Sequence, residues 1–211
     1  MTDIILIGGG GHAKSVADSV KRLGIYNIKG IVTKDKEEWD EYTWLGDDEK
    51  LQAIYDSGVM TAVLAIGYLG RGRIRRAVFD RLKKIGFAVP AIIDPSAIVS
   101  MDAVVEEGSF IGKGAIVNAE SSIGKATIIN TGAIVEHECR VGDFSHVAVG
   151  ARLCGRVNVG EDTFIGAGAT VIQCINVGNG VKVGAGSTVI SDIDDGVTAV
   201  GIPSKVLSIK K

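Results

Sequence analysis

Three histidines occur in this 211-residue chain, and two of them lie in one stretch, NTGAIVEHECRVGDFSH, residues 130–146. His137 is followed at once by Glu138, and His146 stands nine residues further on. An imidazole held by a carboxylate is a base poised near neutral pH, able to take a proton from an attacking amine or hydroxyl. The third histidine, His12, closes a glycine loop in IILIGGGGHAKS, where Gly8, Gly10 and Ala13 fit G-x-G-x-x-[GA] between an apolar run and a helical pattern. Such glycines let a phosphate approach backbone N–H groups at the start of a helix. The acidic residue expected about twenty positions later is replaced by Thr33-Lys34-Asp35. The loop is therefore open to three readings: a nucleotide or nucleotide-sugar site, an NAD site, or a structural turn. Arg71, Arg73, Arg75 and Arg76 supply positive charge that either meets phosphate or forms a solvated helix face. Cys139, Cys154 and Cys174 lack the CxxC spacing of a thiolate zinc site, and two histidines nine apart do not make an imidazole one, so no metal is expected.

What positions His137 is a period of six. Stepping from Val99 to Val189 meets an aliphatic residue at all sixteen positions, without an insertion. The residue two before each is mostly small, and the one after is often glycine, as at Gly112, Gly124, Gly142 and Gly166. A period of six is neither helical nor a plain alternation. It fits a short strand and a turn, with one inward aliphatic per strand, and predicts a β-helix whose coils bury one another. The pattern resembles the left-handed parallel β-helix of hexapeptide acyltransferases, in which three hexapeptides make a triangular coil. On that resemblance sixteen units give about five coils, with inward stacks at intervals of eighteen such as Ile111, Ile129, Val147, Ile165 and Val183.

What positions His12 is an alternation of strands and helices. Ile4–Ile7, Ile28–Val32, Thr61–Ile66 and Phe87–Ile93 read as strands, and His12–Leu23, Asp48–Tyr55 and the face Ile74, Val78, Leu82, Ile85 as helices. This predicts an α/β unit with a parallel sheet of about four strands over residues 1–94. The β-helix follows over 95–211, with Asp94-Pro95 as a hinge. A net charge of −2 and a pI near 5.9 exclude an electrostatic nucleic-acid or anionic-membrane footprint. The N-terminus lacks the basic n-region and long apolar run of a signal peptide or membrane span, so a cytoplasmic chain with reduced thiols is expected.

Both halves together resemble the bacterial sugar acetyltransferases of the bacillosamine N-acetyltransferase and sialic acid O-acetyltransferase kind, the NeuD/PglD-like family. The marks are GGGGHAKSV, NTGAIVEHECRVGDFSHVAVGA and the closing VGIPSK. The resemblance implies a Rossmann-like substrate domain on a left-handed β-helix, acetyl-CoA as co-substrate, and a homotrimer. It implies that His137 is the general base, Glu138 its hydrogen-bonding partner and His146 a contact near the thioester. Gly155, Ala167 and Gly184 then fall along acetyl-CoA, and Gly9, Gly10, Gly11, His12, Thr33, Lys34 and Gly67 around the nucleotide-sugar. The reaction implied is N-acetylation of a UDP-linked 4-amino sugar for a surface glycan. Its rivals are O-acetylation of a sugar such as sialic acid, and a nucleotide-sugar or NAD-binding regulatory module without catalysis. Two departures touch the sugar and not the acyl transfer: Thr33-Lys34 stands where the family often has paired acids, and GYLGRGRIRR (67–76) is longer than the family's turn. Finally, nine residues are half of an eighteen-residue coil. His137 and His146 are thus expected on different sides of the prism, meeting only across a subunit boundary.

Overall fold

In the computed structural model, which describes residues 1–34, 41–67 and 73–207, the apolar run after Met1 becomes strand β1 (Thr2–Ile7), with Ile4–Ile7 fully buried. It is the middle strand of a parallel sheet, flanked by β2 (Tyr26–Val32) and β3 (Thr61–Leu64). Helix α1 (Gly11–Leu23) buries Ala13, Val16, Ala17 and Val20 and stops at Gly24, whose φ of 67° is the left-handed cap that glycine takes at little cost. A 3₁₀ turn (Asp48–Lys50) leads into the short α2 (Leu51–Asp56), and α3 (Arg73–Ile85) buries Val78 and Leu82. Ile74, expected on that buried face, is 61% exposed. None of the helices among the described residues is long and apolar enough to cross a membrane.

The sheet has three strands rather than about four. Ala88 makes a single bridge to Thr61, and Ile92–Ile93 pairs instead with Phe110–Ile111 as the first rung of the solenoid. An apolar run of this length carries no period of its own, so periodicity alone cannot assign it to the sheet or the coil. Ile93 lies six before Val99, in phase with the repeat.

The repeat itself folds into two-residue rungs on three faces. The first face carries Ile92–Ile93, Phe110–Ile111, Ile128–Ile129, His146–Val147, Phe164–Ile165, Lys182–Val183 and Thr198–Val200. The second runs from Ile98–Val99 through Ile134–Val135 and Arg152–Leu153 to Thr188–Val189, and the third from Val104–Val105 to Asn176–Val177. Because the repeat extends beyond Val99 and Val189, there are about six turns, not five. Ile111, Ile129, Val147, Ile165 and Val183 stack in register and are fully buried. Glycine follows the inward aliphatic where coils press together. A Cβ on Gly142 would lie 2.7 Å from backbone atoms of the next coil. The small positions hide hydroxyls that close their own hydrogen bonds: Ser109 donates to the Gly124 carbonyl at 2.7 Å and accepts from the Thr127 N–H at 3.0 Å. Cys139 does the same at another edge, donating to the Cys154 carbonyl at 3.1 Å. At the far end the chain reverses, and Ala199 and Val200 pair antiparallel with Val206 and Lys205.

The α/β unit sits on the first face, which explains why that face points apolar side chains outward. Ile92, Phe110 and Ile128 pack with Ala13, Val16 and Ile4 of the N-terminal unit. Phe79 of α3 meets Phe144 edge to face at 5.7 Å. The junction is a clamp and not a hinge. The buried Asp94 carboxylate accepts from Ser19 Oγ at 2.6 Å, Arg22 at 3.0 Å and the Ser96 N–H and hydroxyl at 2.9 and 2.6 Å. Burial alone would raise its carboxyl, but those hydrogen bonds and Arg22 outweigh burial and hold it below the ordinary carboxylate range.

Candidate active site

His137 and Glu138 occupy the turn after Ile134–Val135, at the edge between the second and third faces. Glu138 takes the left-handed slot of that turn, φ 58°, so both side chains leave the core; they are 54% and 38% exposed. His137 Nδ1 lies 3.0 Å from Glu138 Oε2. A carboxylate only accepts, so Nδ1 carries the hydrogen and Nε2 keeps its lone pair. Arg156, one coil on, donates through Nε to the same Oε2 at 2.9 Å. Its hydrogen bond, followed by that of His137, holds the Glu138 carboxyl below its usual range. The free Nε2 faces Gly155, where a Cβ would lie only 2.5 Å away. Gly155 is thus the floor under the imidazole, a role the sequence did not suggest. Arg156 was also missed, although its signal was available: it stands eighteen after Glu138.

His146 is elsewhere. It lies on the first face, almost wholly buried, with Nε2 3.1 Å from Asn130 Nδ2 and its ring edge-on to Phe164 at 5.3 Å. His12 approaches the same face and packs edge-on to Phe110 at 5.3 Å. Burial first, then the charges of Arg75 and His146, push His12 down to about 3, so it is neutral at any ordinary pH. Its Nε2 is buried without a hydrogen-bond partner among the described residues. The structure therefore brings His12 and His146 together and leaves His137 on another edge of the same chain.

Above α1 opens a cleft of about 850 Å³ that gathers Gly9, Gly10, Gly11, His12, Thr33, Lys34 and Gly67. At its floor lies the N-terminus of α1, whose earliest N–H groups lack the i−4 carbonyl of a helix interior, and among the described residues no atom beyond the chain neighbours and the helix backbone comes within 4 Å of where a Cβ of Gly10 or Gly11 would be. Gly8, at φ 115°, needs its freedom, because a Cβ would lie 3.1 Å from the Ala65 backbone. Asp47, Asp48, Glu49 and Arg81 also line this cleft and went unnoticed in the sequence. The Gly46 carbonyl accepts from Thr33 N–H at 3.0 Å, which sets these acids beside the end of β2.

Of the arginines read as either meeting phosphate or forming a solvated helix face, two do neither. Arg75 is fully buried and donates to the Ile66 carbonyl and, at 2.7 Å, to the Ala126 carbonyl. Burial pushes it down to about 9, still charged at neutral pH. Arg76 lies 4.0 Å over the Phe144 ring and pairs with Glu161 and Asp162 at 3.1 and 2.9 Å. Both fasten α3 to the solenoid. Arg73 opens α3 and is exposed, and Arg71 and Asp35 lie outside the described residues. Ala167 and Gly184 fall on a third location, the edge between the first and second faces, where Gly186 N–H donates to the Ala167 carbonyl at 2.8 Å.

Residues 3–82 match the family described as PglD N-terminal domain. Among solved structures, a histidine-to-alanine mutant of GDP-perosamine N-acetyltransferase from Caulobacter crescentus, in complex with CoA and GDP-perosamine, is 36% identical over 99% of this chain and 98% of its own, with a TM-score of 0.94. The acetyltransferase domain of PglB from Neisseria gonorrhoeae, in complex with acetyl coenzyme A, is 35% identical over 97% and 98%, with a TM-score of 0.89. WeeI from Acinetobacter baumannii shares the fold at 22% identity, 98% and 100% coverage and a TM-score of 0.81. No curated protein matches the chain.

Proposed function

The chain belongs to the NeuD/PglD-like family of hexapeptide-repeat sugar acetyltransferases, and from that premise we propose that His137 serves as general base for acetylation of the amino group of a nucleotide-linked 4-amino sugar. The enzyme is an acetyl-CoA-dependent acyltransferase on a left-handed β-helix. The observation that carries the reading is the outward Nε2 of His137, with Nδ1 engaged by Glu138. As the amine attacks the thioester carbonyl, Nε2 takes its proton. When the tetrahedral intermediate collapses, the C–S bond breaks and the imidazolium returns that proton to the CoA sulfur.

The glycine cleft suits the diphosphate of the nucleotide, since helix N-termini favour anions. By the geometry of such folds the nucleoside points toward the end of β2, where Thr33, Lys34 and Asp47 line the wall. The resemblance to the bacillosamine N-acetyltransferases implies UDP. GDP is the second reading, because the Caulobacter relative was solved with GDP-perosamine. The expected setting is the cytoplasm, in the supply of a surface glycan. Release of CoA thiol from acetyl-CoA should appear with one of the UDP-, GDP- or dTDP-4-amino sugars. Silence with all of them would overturn the proposal.

His12→Ala should weaken binding of the accepted nucleotide-sugar roughly tenfold, about 1.4 kcal/mol, while leaving acetyl-CoA affinity nearly intact. Calorimetry with each ligand separates the two, and equal losses would refute the division of ligands between domains. The site also needs more than one chain. His137 and Gly155 lie on one edge, Ala167 and Gly184 on another, and His12 and His146 both lie against the first face. A homotrimer in which a neighbour's edge faces His137 joins them. Light scattering should give close to three times 22.0 kDa, and a stable, active monomer would rule the shared site out.

A further inference from the structure

We infer that Arg156 is a positioning residue for the His137–Glu138 pair, fixing the carboxylate through the oxygen that His137 also uses and setting the pH range in which the imidazole is free to accept a proton. The inference rests on the proposed role of His137 as base. Its foundation is geometric. His137 Nδ1 and Arg156 Nε converge on one atom, Glu138 Oε2, at 3.0 and 2.9 Å.

The backbone of this edge is arranged to allow it. Each coil turns through one left-handed slot per edge. Between the first and second faces the slot holds glycine at 114, 132, 150, 168 and 186, all with positive φ. Between the second and third faces it holds Glu120, Glu138, Arg156 and Cys174, with φ between 58° and 62°. Residues with a Cβ are costly in this conformation, yet here they place a carboxylate, a carboxylate, a guanidinium and a thiol one above another. The Arg156 N–H donates to the His137 carbonyl at 2.9 Å, which ties the two turns together.

The charges around the imidazole are few. On its own turn stand Glu138 and Glu136, whose Oε2 accepts from the His137 N–H at 3.4 Å. Glu120 occupies the slot one coil below and Arg156 the slot one coil above. The neighbouring thiols are Cys154, beside Gly155, and Cys174, whose N–H donates to the Gly155 carbonyl at 3.0 Å. Arg156 is a cation bonded directly to one of these carboxylates. A carboxylate bound to an imidazole favours the protonated ring. A guanidinium on the same oxygen opposes that by its charge and by occupying the lone pair. Consistent with this, the Arg156 hydrogen bond is the largest influence holding the Glu138 carboxyl low. Arg156 is 63% exposed, so salt should weaken the effect.

NMR of the unliganded protein decides the matter without turnover. With three histidines in the chain, the His137 ring is assigned by its loss in His137→Gln. In Arg156→Met its protonation midpoint should rise, Arg156→Lys should restore most of the difference, and Glu138→Gln should move it the other way. An unmoved midpoint in Arg156→Met would overturn the inference, as would a shift of the same sign in Arg156→Met and Glu138→Gln. The rate profile then tests the reading beneath it. The acid limb of kcat/KM should follow the NMR midpoint in each variant, so that Arg156→Met loses most on the acid limb and progressively less at higher pH. A limb that ignores a shifted midpoint would refute His137 as base while leaving the electrostatic role of Arg156 in place.

Discussion

Replacing His137 by alanine should lower kcat by roughly 10²–10⁴, the range typical of a positioned general base. The amine must lose a proton as it attacks, and Nε2 of His137 is the lone pair that the geometry leaves free, because Nδ1 is bound to Glu138 at 3.0 Å. Stability should change little, since the half-exposed turn side chain opens no core cavity when truncated. Glu138→Ala should cost less, because the imidazole survives without its orienting partner. The wild-type rate should rise with pH as the imidazole loses its proton and then level off. His137→Ala should flatten that limb. Stopped assays at saturating acetyl-CoA and sugar across pH, with thermal melting to confirm the fold, check each of these points. A folded variant with near-normal kcat would refute the assignment.

Gly155→Ala should reduce kcat by about 10²-fold with an almost unchanged melting temperature. The added methyl would sit 2.5 Å from His137 Nε2 and 2.6 Å from Cε1. Gly155 has no left-handed φ to protect, so the backbone accepts alanine without strain. The three nearest atoms all belong to the end of an exposed side chain, which swings aside at little cost to the fold. Catalysis is less tolerant, since a displacement of about 1 Å in a reacting group can cost 10²-fold. The two effects come apart cleanly: kinetics and melting on one variant, with KM for acetyl-CoA recorded beside kcat. A normal rate would mean that the imidazole works from another position. A large fall in melting temperature would mean that Gly155 is a packing residue first.

The solenoid was legible because its period is imposed by the core: every sixth side chain enters a narrow prism, and nothing but an aliphatic fits there. The glycine cleft was legible too, since Gly8 and Gly10 mark a turn chemistry that a helix N-terminus demands. What the sequence concealed lies one coil or one domain away. Arg156 and Gly155 touch the His137–Glu138 pair only because coils stack at eighteen residues, and linear reading around HECR does not cross that distance. Asp47 to Glu49 reach the cleft through the bonding of Thr33 to Gly46, a contact with no periodic signature. Arg75 and Arg76 read as a solvated or phosphate-binding run, yet Arg75 is buried and Arg76 is paired. A charge run says which residues are cationic and not which neighbour will bury them.

The reversal at the top of the solenoid bears on something other than catalysis. A coil that repeats by pure translation presents the same bonding edge after every turn, and nothing in such geometry limits growth to a single molecule. Identical chains could dock base to summit and polymerise into a fibre. Here the last rung of the first face, Thr198–Val200, is met by Lys205–Val206 running the opposite way. The strand laid on that rung is two residues long, carries a lysine, and runs against the direction of the coils beneath it. The hairpin ends the first face with a reversal of strand direction that its parallel ladder does not continue.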